Sequence, residues 1–191
     1  MDFLWVMLAY LVGSLSFGHI AGSVRGINLA ERDLPGASGT WRQLGPAWGV
    51  LVAVADITKG SLVAYLSGFP QTPWAFPLMG AALVAGHNWP LYFGFRGGGG
   101  IAPTLGFFGA LYLNTTLLAM GLALAVAGLY WQLYWKHHRK SWYPIPVGAV
   151  VGYAYALWAL WPTGTGFWAL LGVSLVVALR GLTLLRPRRR A

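Results

Sequence analysis

Cysteine is absent from the 191 residues and acidic side chains are scarce, four Asp and Glu standing against thirteen Lys and Arg. Without thiols there is no disulfide, no thiolate metal site and no cysteine nucleophile. The four histidines and four carboxylates show no spacing such as H-x-x-x-H or H-E-x-x-H, so neither a metal centre nor any other cofactor is expected. No basic helix or aromatic-interleaved basic sheet is present, which argues against nucleic acid as a partner. A basic leader and a small-residue cleavage site are also missing behind Met1 and Asp2, so the first apolar run is expected to be a retained helix. Charge itself is in short supply. Only 9% of the residues are charged, whereas soluble domains carry about 25%, and a water-facing surface cannot be made from so little.

Apolar and aromatic side chains fill that place. The hydrophobic set makes up 57% and aromatics 15% of the chain, with mean hydropathy +0.60, and aromatic rings favour the membrane–water interface. Crossing the hydrocarbon core takes about 20 apolar residues per helix. The pattern predicts an all-α integral membrane protein with about seven transmembrane helices, at residues 4–24, 46–68, 73–93, 101–112, 115–135, 144–160 and 165–179. The fourth is too short to span alone and is expected to be tilted or held inside the bundle. With seven spans, twelve of the thirteen basic residues fall on one side: Arg25, Arg32, Arg42, Arg96, Lys136, Arg139, Lys140, Arg180, Arg186, Arg188, Arg189 and Arg190. Positive charge marks the cytoplasmic face, so the N-terminus is expected outside and the C-terminus inside. Merging residues 101–135 into one helix would give six spans and move Lys136 to Lys140 to the opposite face. Residues 1–185 read as a single polytopic membrane domain and 186–191 as a basic cytoplasmic tail. The net charge of +9 implies attraction to anionic lipid headgroups.

Polar groups at membrane depth are the candidates for function. Asp56 and Lys59 lie three residues apart on one helical face, either as a working pair or as a pair that docks helices. His19 and His87, as lone histidines in apolar helices, read first as interhelical hydrogen-bonding groups rather than ligands, but His87 is followed at once by Asn88 and then by "RGGGG", residues 96–100. Glycines leave backbone N–H groups free to approach an anion, and a helix starting at Ile101 would add its positive end. A flexible linker is the other reading of such a run. Arg96 can grip a phosphate with a bidentate fork. "ERDLPGASGTWRQLG", residues 31–45, is a second small-residue loop on the same face. It carries Gly36, Ala37, Ser38 and Arg42 toward the same pocket, or else it simply caps a helix through Ser38 or Thr40.

In order along the chain, "GSLSFG" at 13–18, "RGINL" followed by "PGASGTWRQLG", "DITKG" at 56–60 and "GHNWPLYFGFRGGGGIA" at 86–102 resemble the bacterial acyl-phosphate:glycerol-3-phosphate acyltransferases (PlsY). The resemblance covers about residues 10 to 106. It implies seven transmembrane helices in a bacterial cytoplasmic (inner) membrane, with cytoplasmic loops that bind acyl phosphate and glycerol 3-phosphate. Acyl transfer to the sn-1 hydroxyl would then give lysophosphatidic acid for phospholipid synthesis. Ser38, Arg42, Arg96 and Gly97, Gly98, Gly99 and Gly100 would hold phosphate, and Gly36, Ala37, Asp56, Lys59 and Asn88 would support them. The base would be His87 or a substrate phosphate oxygen. Small residues such as Gly80, Ala81 and Gly86 would leave a groove for the acyl chain.

The chain departs from the family pattern at several points. Gly99 stands where the family has a lysine, Arg96 replaces another lysine, Gly39 replaces an Asn, "RDL" replaces Ser-Gly-Asn, and "LRGLTLLRPRRR" lacks the His and Asn of a third motif. These changes remove a cation and several donors from the expected site. They leave open a non-catalytic or substrate-altered paralogue that binds phosphate-bearing lipids or acyl donors.

Overall fold

The computed structural model describes residues 2–138 and 142–185. Arg139 and Lys140, and the tail expected at 186–191, lie outside them. All the regular secondary structure of the described residues is helical. Helices α1 (Asp2–Gly13), α2 (Phe17–Val24), α3 (Leu29–Arg32), α4 (Ala37–Leu44) and α5 (Pro46–Leu66) are followed by α6 (Ala75–Asn88), α7 (Ile101–Leu111), α8 (Leu113–Tyr130), α9 (Pro144–Leu160) and α10 (Thr165–Leu185). Five stretches are long and apolar enough to cross a membrane: Asp2–Val24, Pro46–Leu66, Leu113–Trp135, Pro144–Thr163 and Thr165–Leu184. At 14 residues α6 is shorter than the span expected at 73–93, and the 11-residue α7 is as short as expected at 101–112.

Local chemistry explains each difference. The first span breaks at residues 14–16, where Ser14 Oγ donates to the Tyr10 carbonyl and two serines replace helix-favouring residues. The third span stops at Asn88 because Pro90 lacks an N–H and pushes Trp89 out of helical geometry (φ −130°, ψ 71°). Tyr112, at φ −135° and ψ 56°, separates α7 from α8, so residues 101–135 are not one helix. The last helix runs through Leu185 rather than stopping at 179, which puts Arg180 inside it.

Glycine permits the closest helix contacts, since without Cβ two backbones can touch. A Cβ at Gly13 would meet the Leu83 carbonyl and one at Gly86 the Tyr10 carbonyl, joining α1 to α6. Gly60 and Gly106 do the same between α5 and α7, and Gly148 and Gly152 between α9 and α8. Gly80 and Gly86, expected to border an acyl-chain groove, are packed shut, Gly80 against Phe107 and Val173. The core gathers Val63, Met79, Leu83, Val84, Phe107, Leu170 and Val173 from α5, α6, α7 and α10. Large apolar side chains such as Leu118, Val150, Trp158 and Leu175 point outward, as a lipid-facing surface requires.

Candidate active site

Lys59 and Asp56 project from α5 into the bundle, where both are buried, with Lys59 Nζ 2.9 Å from Asp56 Oδ1. The ammonium donates to the carbonyls of Gly13 (3.0 Å) and Leu15 (2.7 Å). These acceptors are freed by the break between α1 and α2, so the lysine caps the negative end of α1. Irregular backbone at membrane depth is tolerated where the protein re-satisfies its polar groups. A further contact places Nζ 3.0 Å from His87 Nδ1. Asp56, 2.9 Å away, balances the charge of the ammonium. His87 Nδ1 also lies 3.5 Å from Asp56 Oδ1, so Lys59 and Asp56 hold one ring nitrogen and leave Nε2 on the far side of the ring. That nitrogen lies beneath Gly98, so closely that a Cβ there would overlap it.

The glycine loop sits over this cluster, and its four glycines are not alike. Gly97 N–H donates to the Asn88 carbonyl (3.2 Å) and Gly98 N–H to the His87 carbonyl (3.1 Å). These two amides, expected to be free for an anion, are committed to the end of α6 because Pro90 and the turn after it fold the chain back there. Gly97 and Gly98 have no room for a Cβ, and Gly100 adopts φ 87° with Val84 Cγ1 2.7 Å from a Cβ position. Gly99 has open space around it. Gly100 caps α7, which begins at Ile101 as expected. Asn88 is fully buried beside Gly100, and neither its Oδ1 nor its Nδ2 has a hydrogen-bond partner among the described residues.

The second loop meets the first. Gly36, the N-cap of α4, lies against Gly98, 3.4 Å separating the Gly98 Cα from a Cβ position on Gly36. Ala37 and the exposed Ser38 thus open α4 at the edge of the glycine loop. Arg42 is one turn further on and turns away. Its Nη2 is 2.6 Å from Asp33 Oδ2, and its guanidinium lies 4.7 Å from the Tyr143 ring centroid. Asp33, part of the departing "RDL", is therefore what holds Arg42. Arg96 is exposed and accepts through its carbonyl from His19 Nε2 at 2.5 Å. Together with Ser23, Asn28, Phe93 and Gly94 these residues line an open polar cleft of about 690 Å³.

Two features escaped sequence reasoning. Arg180 of α10 straps the loop, its Nε and Nη2 donating to the carbonyls of Gly98 (3.1 Å) and Gly97 (2.7 Å). A lone arginine inside an apolar helix was its only signal. The other is a groove of about 220 Å³ among α7, α8 and α9, lined by Ile101, Met120, Ala149, Tyr153, Ala156 and Leu160. It starts beside the loop, where Tyr153 Oη donates to Thr104 Oγ1 and Thr104 Oγ1 to the Gly100 carbonyl.

A helical bundle with five stretches of membrane-spanning length, and a buried lysine–histidine–aspartate cluster beneath a glycine loop, defines the class. Comparison with known proteins gives the family. Residues 3–135 match the family model described as glycerol-3-phosphate acyltransferase. Glycerol-3-phosphate acyltransferase 2 of Deinococcus radiodurans is 38% identical over 96% of this chain and 94% of its own. Glycerol-3-phosphate acyltransferase of Halalkalibacterium halodurans is 34% identical over 70% of this chain and 68% of its own. Two crystal structures of PlsY, an integral membrane glycerol 3-phosphate acyltransferase, superpose with TM-scores of 0.81 for the glycerol 3-phosphate form and 0.79 for the lysophosphatidic acid form. Each is 26% identical and aligns over 96% of this chain and 89% of its own. The chain belongs to the glycerol-3-phosphate acyltransferase family.

Proposed function

We propose that this protein transfers an acyl group from an acyl phosphate to the sn-1 hydroxyl of glycerol 3-phosphate, giving lysophosphatidic acid for phospholipid synthesis. The observation that carries the reading is the meeting of the α4 N-terminus with the glycine loop, between a polar cleft and an apolar groove. Glycerol 3-phosphate suits the cleft beside Arg96, and the acyl chain suits the groove. Acyl phosphate is a mixed anhydride and needs no side-chain nucleophile. The hydroxyl oxygen attacks the acyl carbon, the new ester bond forms as the acyl–phosphate C–O bond breaks, and the proton passes to a phosphate oxygen. His87 is buried, held at Nδ1 by Lys59 and Asp56, and its Nε2 is covered by Gly98, so a substrate phosphate oxygen is the better base and His87 supports the loop from beneath. Catalysis then rests on placing two anions and stabilising charge on the acyl oxygen and departing phosphate. Gly99, Gly100, Ala37 and Ser38 provide donors, with Arg96 and Arg42 near the rim.

The purified protein, given labelled glycerol 3-phosphate and palmitoyl phosphate, is expected to form lysophosphatidic acid. Binding of both without product would favour the rival reading, a paralogue that holds acyl donors or phosphate-bearing lipids without turnover, to which the Arg42–Asp33 pair lends weight. The groove adds a prediction about chain length. Ala156→Leu fills it partway and displaces the end of a long chain. Losing burial of two methylenes costs about 1.6 kcal/mol, so kcat/KM for palmitoyl phosphate should fall about tenfold while decanoyl phosphate is largely spared. An equal fall for both donors would place the chain elsewhere.

The topology we propose has seven spans in a single membrane domain of residues 1–185, N-terminus outside and basic tail at the cytoplasmic face of a bacterial inner membrane, near anionic lipids. The shorter α6 and α7 complete the count inside the bundle. Single cysteines at Arg42, Arg96 and Lys136 are expected to label from the cytoplasmic side, and ones at Gln71, Asn114 and Thr163 from outside. Labelling at Lys136 from outside would reject seven spans.

A further inference from the structure

We infer that Arg180 is a phosphate-binding residue of this site, bringing from the last helix a positive charge that the glycine loop itself does not carry. The inference rests on the acyltransferase reading and extends it to a residue outside the matched motifs. Arg180 spends its Nε and one Nη2 proton on the loop carbonyls and rests over Trp89 at 5.8 Å, so its other N–H groups remain to be met. No carboxylate answers its charge among the described residues. Asp33 is taken by Arg42 and Asp56 by Lys59, while Asp2 is bonded to Thr72 and Glu31 to Asn28. A half-buried cation in an apolar helix without a counter-ion is costly. An anion bound at the loop would offset that cost.

Independent features converge on the same spot. Asn88 is fully buried with both amide atoms unpartnered, and its Oδ1 lies 3.0 Å from a Cβ position on Gly100. The 11-residue α7 starts there with its positive end. Gly99, next to the two glycines that Arg180 holds, has no neighbour within 4 Å of a Cβ position, so the loop is uncovered there. The two cations that the sequence points to are placed less well, Arg42 being held by Asp33 and Arg96 facing the cleft. The ligand is a terminal phosphate group, which either substrate can bring.

Calorimetry on the full chain in detergent, with glycerol 3-phosphate and with palmitoyl phosphate, separates the two sources. A charge-assisted hydrogen bond contributes about 1.5–3 kcal/mol, so Arg180→Gln should weaken binding of one of them by about 10- to 100-fold. Arg180→Lys should lose less. Adding Gly99→Lys to Arg180→Gln should restore much of the affinity and its salt sensitivity, because a lysine at 99 returns the charge without the strap. Gly99→Lys alone should tighten binding, which tests the same point with Arg180 intact. Unchanged affinity in Arg180→Gln, no rescue by Gly99→Lys, or no phosphate binding by the parent would each overturn the proposal. A parent that turns over, with Arg180→Gln unaffected, rejects Arg180 and keeps the acyltransferase. Arg180-dependent binding without any turnover rejects the acyltransferase and keeps Arg180.

Discussion

Gly98→Ala is expected to lower the acyl-transfer rate about 100-fold or more, since displacing reacting groups by roughly 1 Å can cost that much. The methyl group would enter the space of the His87 ring, which cannot retreat because Lys59 holds Nδ1 from the other side. Either the loop lifts, breaking Gly98 N–H to the His87 carbonyl and the strap from Arg180, or the ring moves and disturbs the ammonium. Gly99→Ala makes a sharp contrast. Its methyl group meets nothing within 4 Å and the backbone there is not left-handed, so its loss should be far smaller. Steady-state rates for the two variants, with melting curves in detergent to check folding, measure the difference. Similar losses in both would mean that the run acts as a featureless flexible link.

Lys59→Met is expected to destabilise the protein by about 3–5 kcal/mol, the usual consequence of leaving a buried charge without its partner. Here Asp56 would be stranded, and the carbonyls of Gly13 and Leu15 would lose their donor at the break in the first span. The double variant Asp56→Leu, Lys59→Met removes the stranded carboxylate but not the second problem. It should therefore recover only part of the loss, whereas a simple ion pair exchanged for apolar side chains can recover all of it. Thermal unfolding of the parent, single and double variants in one detergent reads this out. Full recovery in the double variant would show that the ammonium does not hold the break together.

Much of this was legible in the residues taken by themselves. Scarce charge and long apolar runs require a lipid-facing protein, and α5, α8, α9 and α10 begin within a few residues of the expected positions. The i, i+3 spacing of Asp56 and Lys59 puts them on one face whatever their tertiary contacts, and the start of α7 directly after the glycines follows from the change in composition at Ile101. Such features depend on helix period and local backbone chemistry, which neighbouring residues determine. What each group is paired with depends on packing. Lys59 reaches Gly13 across 46 positions and His87 across 28, and Arg180 reaches Gly97 across 83. No local pattern announces that Asp33 neutralises Arg42, that two of the four loop amides are already bonded, or that the groove opens among α7, α8 and α9 rather than beside Gly80 and Gly86. Glycine supplies closeness and amides alike, and only the neighbours brought against it by the fold decide which of the two it provides.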